Sequence, residues 1–204
     1  MNRLFLIAAS LLLLVACAEM KKSSDVPVAD KPASDPAADS LAVRQLITGF
    51  YNWYGTHDTV LYRFHLYEGV KKVDEPPYRI NWKEVDAYQL YIRENMQWLG
   101  EEFLARQRKM LQTCDSAFKE DKEGEIPYGF DYDWYTNSQE EASFLTAQVN
   151  QPLPWKMEWA GDYVTVTLRG EDEIDGQLKQ RDYFPILVKK ENGQWKIARI
   201  GTEE

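Results

Sequence analysis

The sequence predicts an α+β domain, with N-terminal helices packed on one face of a curved antiparallel sheet built from the C-terminal third. Three observations predict it. Apolar residues between 40 and 120 recur at helical spacing. After residue 160 the pattern changes to alternation, and short glycine turns, above all Asn192-Gly193, punctuate the alternating runs.

Ahead of the domain, Met1-Asn2-Arg3 puts one positive charge before an apolar run, Leu4 to Ala16, in which only Ser10 is mildly polar. Thirteen helical residues span about 20 Å, whereas a bilayer core of roughly 30 Å takes about twenty. Residues 1–16 therefore fit a secretory signal better than a membrane span. Leu14-Val15-Ala16-Cys17 resembles the lipobox of bacterial lipoproteins. That resemblance implies cleavage before Cys17, a diacylglyceryl group on its thiol and a third acyl chain, such as palmitate, on the new amino terminus. Stable anchoring takes two lipid signals, and this modification supplies them. The next residue is Ala18 rather than Asp, which by resemblance to Gram-negative sorting implies the outer membrane, facing the periplasm.

Residues 18–40 are rich in Ala, Ser, Asp, Lys and Pro and hold no aromatic side chain. Such a segment buries too little apolar surface to offset its ordering entropy. The stretch 17–40 thus reads as lipidated Cys17 and a flexible tether, with a typical reach of about 26 Å. A single domain is expected over 41–204.

Within that domain Ser40 is the expected N-cap of a first helix, with Val43, Leu46, Ile47, Phe50 and Tyr54 on one face. Asn81 and Glu84 make a capping-box-like start for a second helix, whose stripe is Val85, Tyr88, Ile92 and Met96. Gly100 interrupts. A third helix carries Phe103, Leu104, Gln107, Leu111, Cys114 and Phe118 on one face. Val164, Val166 and Leu168 then alternate with Tyr163, Thr165 and Thr167, as in a half-buried strand entered through the turn Ala160-Gly161-Asp162. Asp175-Gly176 marks the next connection. Pro185, inside the strand Tyr183 to Lys189, requires an edge or a bulge. Asn192-Gly193 predicts a hairpin into Trp195-Lys196-Ile197-Ala198.

Composition narrows the partners. The chain carries 24 basic and 33 acidic residues, a net charge of −9, and the loss of Arg3 with the signal brings the mature chain near −10. A phosphate backbone is held by Lys and Arg that displace its counterions, so nucleic acid is excluded as an expected partner. The membrane contact is expected to be the acyl chains themselves. With Cys17 acylated, no second thiol remains to bridge to Cys114, and a disulfide framework is excluded. The position of Cys114 on an apolar stripe predicts burial.

Four segments carry a further resemblance: Phe50-Tyr51-Asn52-Trp53-Tyr54, Gly100-Glu101-Glu102-Phe103-Leu104, Gly129-Phe130-Asp131-Tyr132-Asp133 with Ser138-Gln139-Glu140, and the closing Gly193-Gln194-Trp195-Lys196-Ile197. They resemble an uncharacterised family of small bacterial envelope lipoproteins and related periplasmic immunity proteins. The order of elements is similar to the nuclear-transport-factor-like cone fold shared with ketosteroid isomerases. The resemblance spans about 40–201 and implies a fold and a location. It implies no reaction, so no catalytic residue follows from it.

The densest local chemistry is Tyr128-Gly129-Phe130-Asp131-Tyr132-Asp133-Trp134-Tyr135, two carboxylates among five aromatics. If this stretch is extended, Asp131 and Asp133 share one face. Paired carboxylates bind hard cations or divide acid and base roles. As a calcium loop the segment fails, because Thr136 and Ala142 stand where the turn glycine and the closing acidic residue belong. The alternative is a connection that fills the open side of the cone with aromatics while its carboxylates cap backbone amides. No metal and no cofactor is expected. His57 lies next to Asp58, but adjacent loop residues seldom face each other, and Ser, Cys and His show no nucleophile spacing.

Seven Trp and twelve Tyr exceed what one small core takes in, which predicts a cavity or exposed patch lined by aromatics. The expected role is therefore a membrane-tethered, non-catalytic module that binds a protein or envelope component. Its candidate binding residues are Tyr128, Asp131, Asp133, Trp134, Tyr135 and Trp53. Two alternatives stay open: an enzyme of ketosteroid-isomerase type acting on a small molecule in the cone, and an inhibitor of a peptidoglycan hydrolase.

Overall fold

The computed structural model describes residues 36–71, 75–120, 123, 127–139 and 141–202. The signal, Cys17 and the tether up to residue 35 lie outside them. The described chain is α+β, with helices packed against an antiparallel sheet.

Helix α1 runs from Pro36 to His57 and buries Val43, Ile47, Phe50, Tyr51 and Tyr54. It begins four residues before the expected cap. Pro36 is preset for a first helical turn, and Ala37 and Ala38 extend it with high propensity. Ser40 is consequently inside the helix, where its hydroxyl donates to the Pro36 carbonyl (2.8 Å) rather than capping an amide. Asp39 sits in the positive first turn. A 3₁₀ turn, Asp58–Arg63, follows. A small two-stranded ladder then pairs β1 (Tyr67–Gly69) with β2 (Tyr78–Ile80).

Helix α2, Trp82–Asn95, starts as expected: the Asn81 side chain accepts the Glu84 amide (3.3 Å). Its predicted stripe, Val85, Tyr88, Ile92 and Met96, is buried. Helix α3, Glu101–Glu120, buries all six residues of the predicted face, Cys114 completely. The Glu191 carboxylate caps it from across the fold, accepting the Glu101 (3.1 Å) and Glu102 (3.4 Å) amides. Helix α4, Ala142–Val149, packs on α1, where the Thr146 hydroxyl donates to the Tyr51 carbonyl (2.9 Å).

Four strands form a meander in the order β3 (Lys156–Ala160), β4 (Tyr163–Ile174), β5 (Gln177–Glu191), β6 (Gln194–Ile200). Val164, Val166 and Leu168 alternate into the core with Ile186 and Val188 beside them. Asp175-Gly176 and Asn192-Gly193 turn with φ of 55°, 71°, 51° and 81°, the geometry that matches strand twist in a two-residue hairpin. Pro185 lies in the interior strand β5, not at an edge. It faces Thr167, where the β4 register slips between Thr167 and Arg169, so the bulge absorbs the missing donor. The outer side of β6 is covered by residues 98–100: the Ile197 amide donates to the Trp98 carbonyl (2.8 Å), and the Gly100 amide to the Ile197 carbonyl (2.9 Å).

Candidate functional site

The 128–135 segment is not extended. It folds into successive turns closed by a bridge between Asp133 and Ser138, whose backbone bond is 2.9 Å. The cause is local. Asp133 Oδ1 accepts the amides of Tyr135 (2.7 Å) and Thr136 (3.2 Å), offering the backbone an alternative to a strand ladder. The Trp134 indole N–H donates to the Gly129 carbonyl (2.7 Å) and ties the loop across itself. Gly129 permits this with φ of +79° and with the Cys114 sulfur so close that a Cβ would lie 2.8 Å from it.

The two carboxylates therefore do not share a face. Asp131 is exposed. Asp133 turns inward, and its Oδ2 accepts the Tyr54 hydroxyl of α1 (2.6 Å). Burial raises the Asp133 carboxyl above its ordinary value, while the hydrogen bonds from Tyr54, Tyr135 and Thr136 oppose the rise. The same contact holds the Tyr54 phenol neutral: burial and the Asp133 charge both push its pKa up.

Tyr135 is in the core, 3% exposed. Its carbonyl accepts the Tyr51 hydroxyl (2.9 Å), and its own hydroxyl meets that of Tyr88, which also accepts from the Gln107 amide (3.1 Å). Its ring packs among Phe50, Tyr54 and Phe103 at centroid distances of 4.9–6.0 Å. Phe130 and Trp134, 5.1 Å apart, continue this packing toward Tyr67 and Phe118. As a binding residue Tyr135 is thus corrected: a side chain enclosed by three helices presents no surface to a partner. Asp133 is corrected likewise, since both its oxygens are engaged inside the chain. Trp134 is half-buried, and its indole N–H is committed to Gly129. The exposed members are Tyr128, 49% exposed, and Asp131.

Trp53 does not join this cluster. Its ring stacks on His57 (4.8 Å, 5°) and meets Trp98 (5.7 Å) on another side of α1. His57 is not oriented by Asp58, whose carboxylate caps the Thr59 amide (2.8 Å).

This arrangement limits the chemistry. A general base needs a lone pair within reach of a substrate proton, whereas Asp133 spends both oxygens on three internal donors. Among the described residues no three His, Cys, Asp or Glu side chains group as metal ligands, and no helix is long and apolar enough to cross a membrane. Sequence reading passed over Tyr51, Tyr88 and Gln107 as site residues. Their helical spacing marked Tyr88 and Gln107 as core, and nothing in the pattern distinguishes a core tyrosine that carries a hydrogen bond from one that does not. No family model, curated protein or solved structure matches the chain.

Proposed function

We propose that this protein is a lipid-anchored, non-catalytic binding module of the bacterial envelope, held by Cys17 at the outer membrane and facing the periplasm. The observation that carries the reading is the division of the 128–135 segment. Asp133 and Tyr135 lock it to α1, α2 and α3, while Tyr128 and Asp131 stand exposed on the resulting rigid turn. A loop ordered before binding does not have to be ordered by binding, which is how preorganised surfaces gain affinity. The aromatic interior supports a filled, nuclear-transport-factor-like cone over an open catalytic one.

The partner expected for this turn is an envelope protein with a basic face, such as a peptidoglycan hydrolase, because an acidic chain steers basic surfaces. The test is capture from native envelopes by the lipidated protein and by a Tyr128→Ala/Asp131→Lys variant. The variant should melt like the wild type and lose the captured protein. Equal capture by both would remove the turn as the binding surface.

A further inference from the structure

Four of the seven tryptophans lie in two pairs beside an open groove on a different part of the surface. Trp159 and Trp195 form one pair (5.6 Å, 72°), and Trp53 and Trp98 the other (5.7 Å). The groove between α1 and the β5–β6 hairpin has a volume of about 590 Å³ and is lined by Trp98 and Trp195. That is within the range of small-ligand sites, roughly 300–1,000 Å³.

Asp39, Ala42, Leu46, Gly49 and Trp53 fall on one stripe of α1 at spacings of three and four. Gly49 lets the helix approach Trp98: a Cβ there would lie 2.9 Å from the indole nitrogen. At the other wall, Asp39 accepts both the Trp195 indole N–H (2.9 Å) and the Lys190 ammonium (3.0 Å), so the ring is pinned. Ala38, Ala42 and Gly193 line the groove without filling it.

Its polar groups set the ligand class. Gln45, Gln97 and Gln194 line the groove, are exposed, and make no side-chain hydrogen bond among the described residues. Each carboxamide offers donors and an acceptor together, the pairing that adjacent hydroxyls on one ring satisfy. Indoles supply broad apolar faces for the C–H side of such a ring. A nucleic-acid strand would also stack on indoles, but it requires a positive groove. Here Asp39 offsets Lys190, and Lys196, which donates to the Gln97 carbonyl, is the one uncompensated charge among the lining residues, too few to follow a phosphate backbone.

We infer that the Trp98/Trp195 groove is a binding site for a neutral oligosaccharide of pyranose rings. The Trp98 indole stacks on a sugar face, Trp195, with the Lys190 ammonium 5.0 Å over its ring, forms the opposite wall, and the three glutamine carboxamides hydrogen-bond the hydroxyls. The site is separate from the Tyr128–Asp131 turn and does not depend on it. The full mature protein, in detergent, is titrated with chitotetraose, cellotetraose and maltotetraose while tryptophan emission is followed. Saturable binding is expected for at least one, with an affinity of about 1 mM or better. Gln45→Ala/Gln194→Ala, both exposed positions, should weaken it at least tenfold without changing the melt. Trp98→Ala should weaken binding at least tenfold, with Trp195 left to report the residual change. Tyr128→Ala/Asp131→Lys should leave binding intact, which separates this site from the proposed protein-binding turn. Absence of saturation with all three sugars, unchanged affinity in the glutamine variant, or saturation by a single-stranded oligonucleotide instead would each overturn the assignment.

Discussion

Asp133 is a carboxylate that a search for acid–base pairs selects and that the fold employs as a clamp. Its three donors come from α1 and from its own turn, and removing the acceptor leaves all three without it. Asp133→Ala should therefore destabilise the protein by about 2–3 kcal/mol, the penalty of orphaned buried donors. For a chain of this size that is a fall of about 4–12 °C in melting temperature. Asp133→Asn should cost less. The folded-state pKa of Asp133 is raised above 3.8, so ionisation disfavours the fold as pH rises past that value, and the amide carries no such penalty. Thermal melts at pH 7 decide it, and equal losses in both variants would refute the clamp. Cys114 offers a second residue-level check. It is fully buried on α3, so a thiol reagent should react slowly in native buffer and fast after denaturation. Cys114→Ala should cost about 1–2 kcal/mol. Rapid native labelling would place the thiol at the surface.

Between elements, Glu102 ties α3 to β4 and β5, beside the cap that Glu191 of β5 places on the helix. Glu102 accepts from Lys189 (2.8 Å), Tyr163 (3.1 Å) and Arg106 (2.8 Å). Burial alone would raise its pKa, but these three hydrogen bonds bring it down from 4.5 to about 2. A depressed carboxylate contributes stability that is present above the unfolded value and lost as pH falls through the folded one. Wild-type melting temperature should thus decline between pH 4.5 and 2, and Glu102→Gln should show a lower plateau at pH 7 with a shallower decline. Parallel curves would exclude Glu102 as the titrating contact. At this scale the sequence was readable wherever period and burial agree, as along α2, α3 and β4. It was unreadable where they do not. In β3, Lys-Met-Glu-Trp-Ala alternates, but it is five residues long and almost wholly exposed, so its alternation does not mark a buried face. In α4, the run Ala-Ser-Phe-Leu-Thr-Ala-Gln-Val is too short for helical spacing to stand out. For the 128–135 segment the sequence left open an extended stretch and a connection whose carboxylates cap amides, and Asp133 decides for the second through hydrogen bonds no spacing reveals.

At the scale of the whole molecule, fold class is legible because the two periodicities divide the chain into separate regions. The proposed binding surfaces are legible only as an excess of aromatics, since the residues that flank the groove come from α1, the 97–98 turn and strands β3, β5 and β6. The proposed anchor is the reverse case, read from seventeen consecutive residues alone. Arg3, the apolar run to Ala16 and the sequence Leu14-Val15-Ala16-Cys17 predict that the thiol of Cys17 receives the diacylglyceryl group. Serine has no thiol to alkylate, so Cys17→Ser should block incorporation of a palmitate analogue and leave uncleaved precursor of higher mass. The apolar run of about 20 Å is too short to span a bilayer core of roughly 30 Å comfortably, so the precursor should be held less firmly than the lipidated form, whose two or three chains exceed the marginal binding of one. Fractionation after a carbonate wash should find the wild type with the membrane and a signal-less chain beginning at Ala18 in the soluble fraction. Undiminished lipid labelling of Cys17→Ser would remove the anchor, and with it the envelope location on which the proposed partner depends.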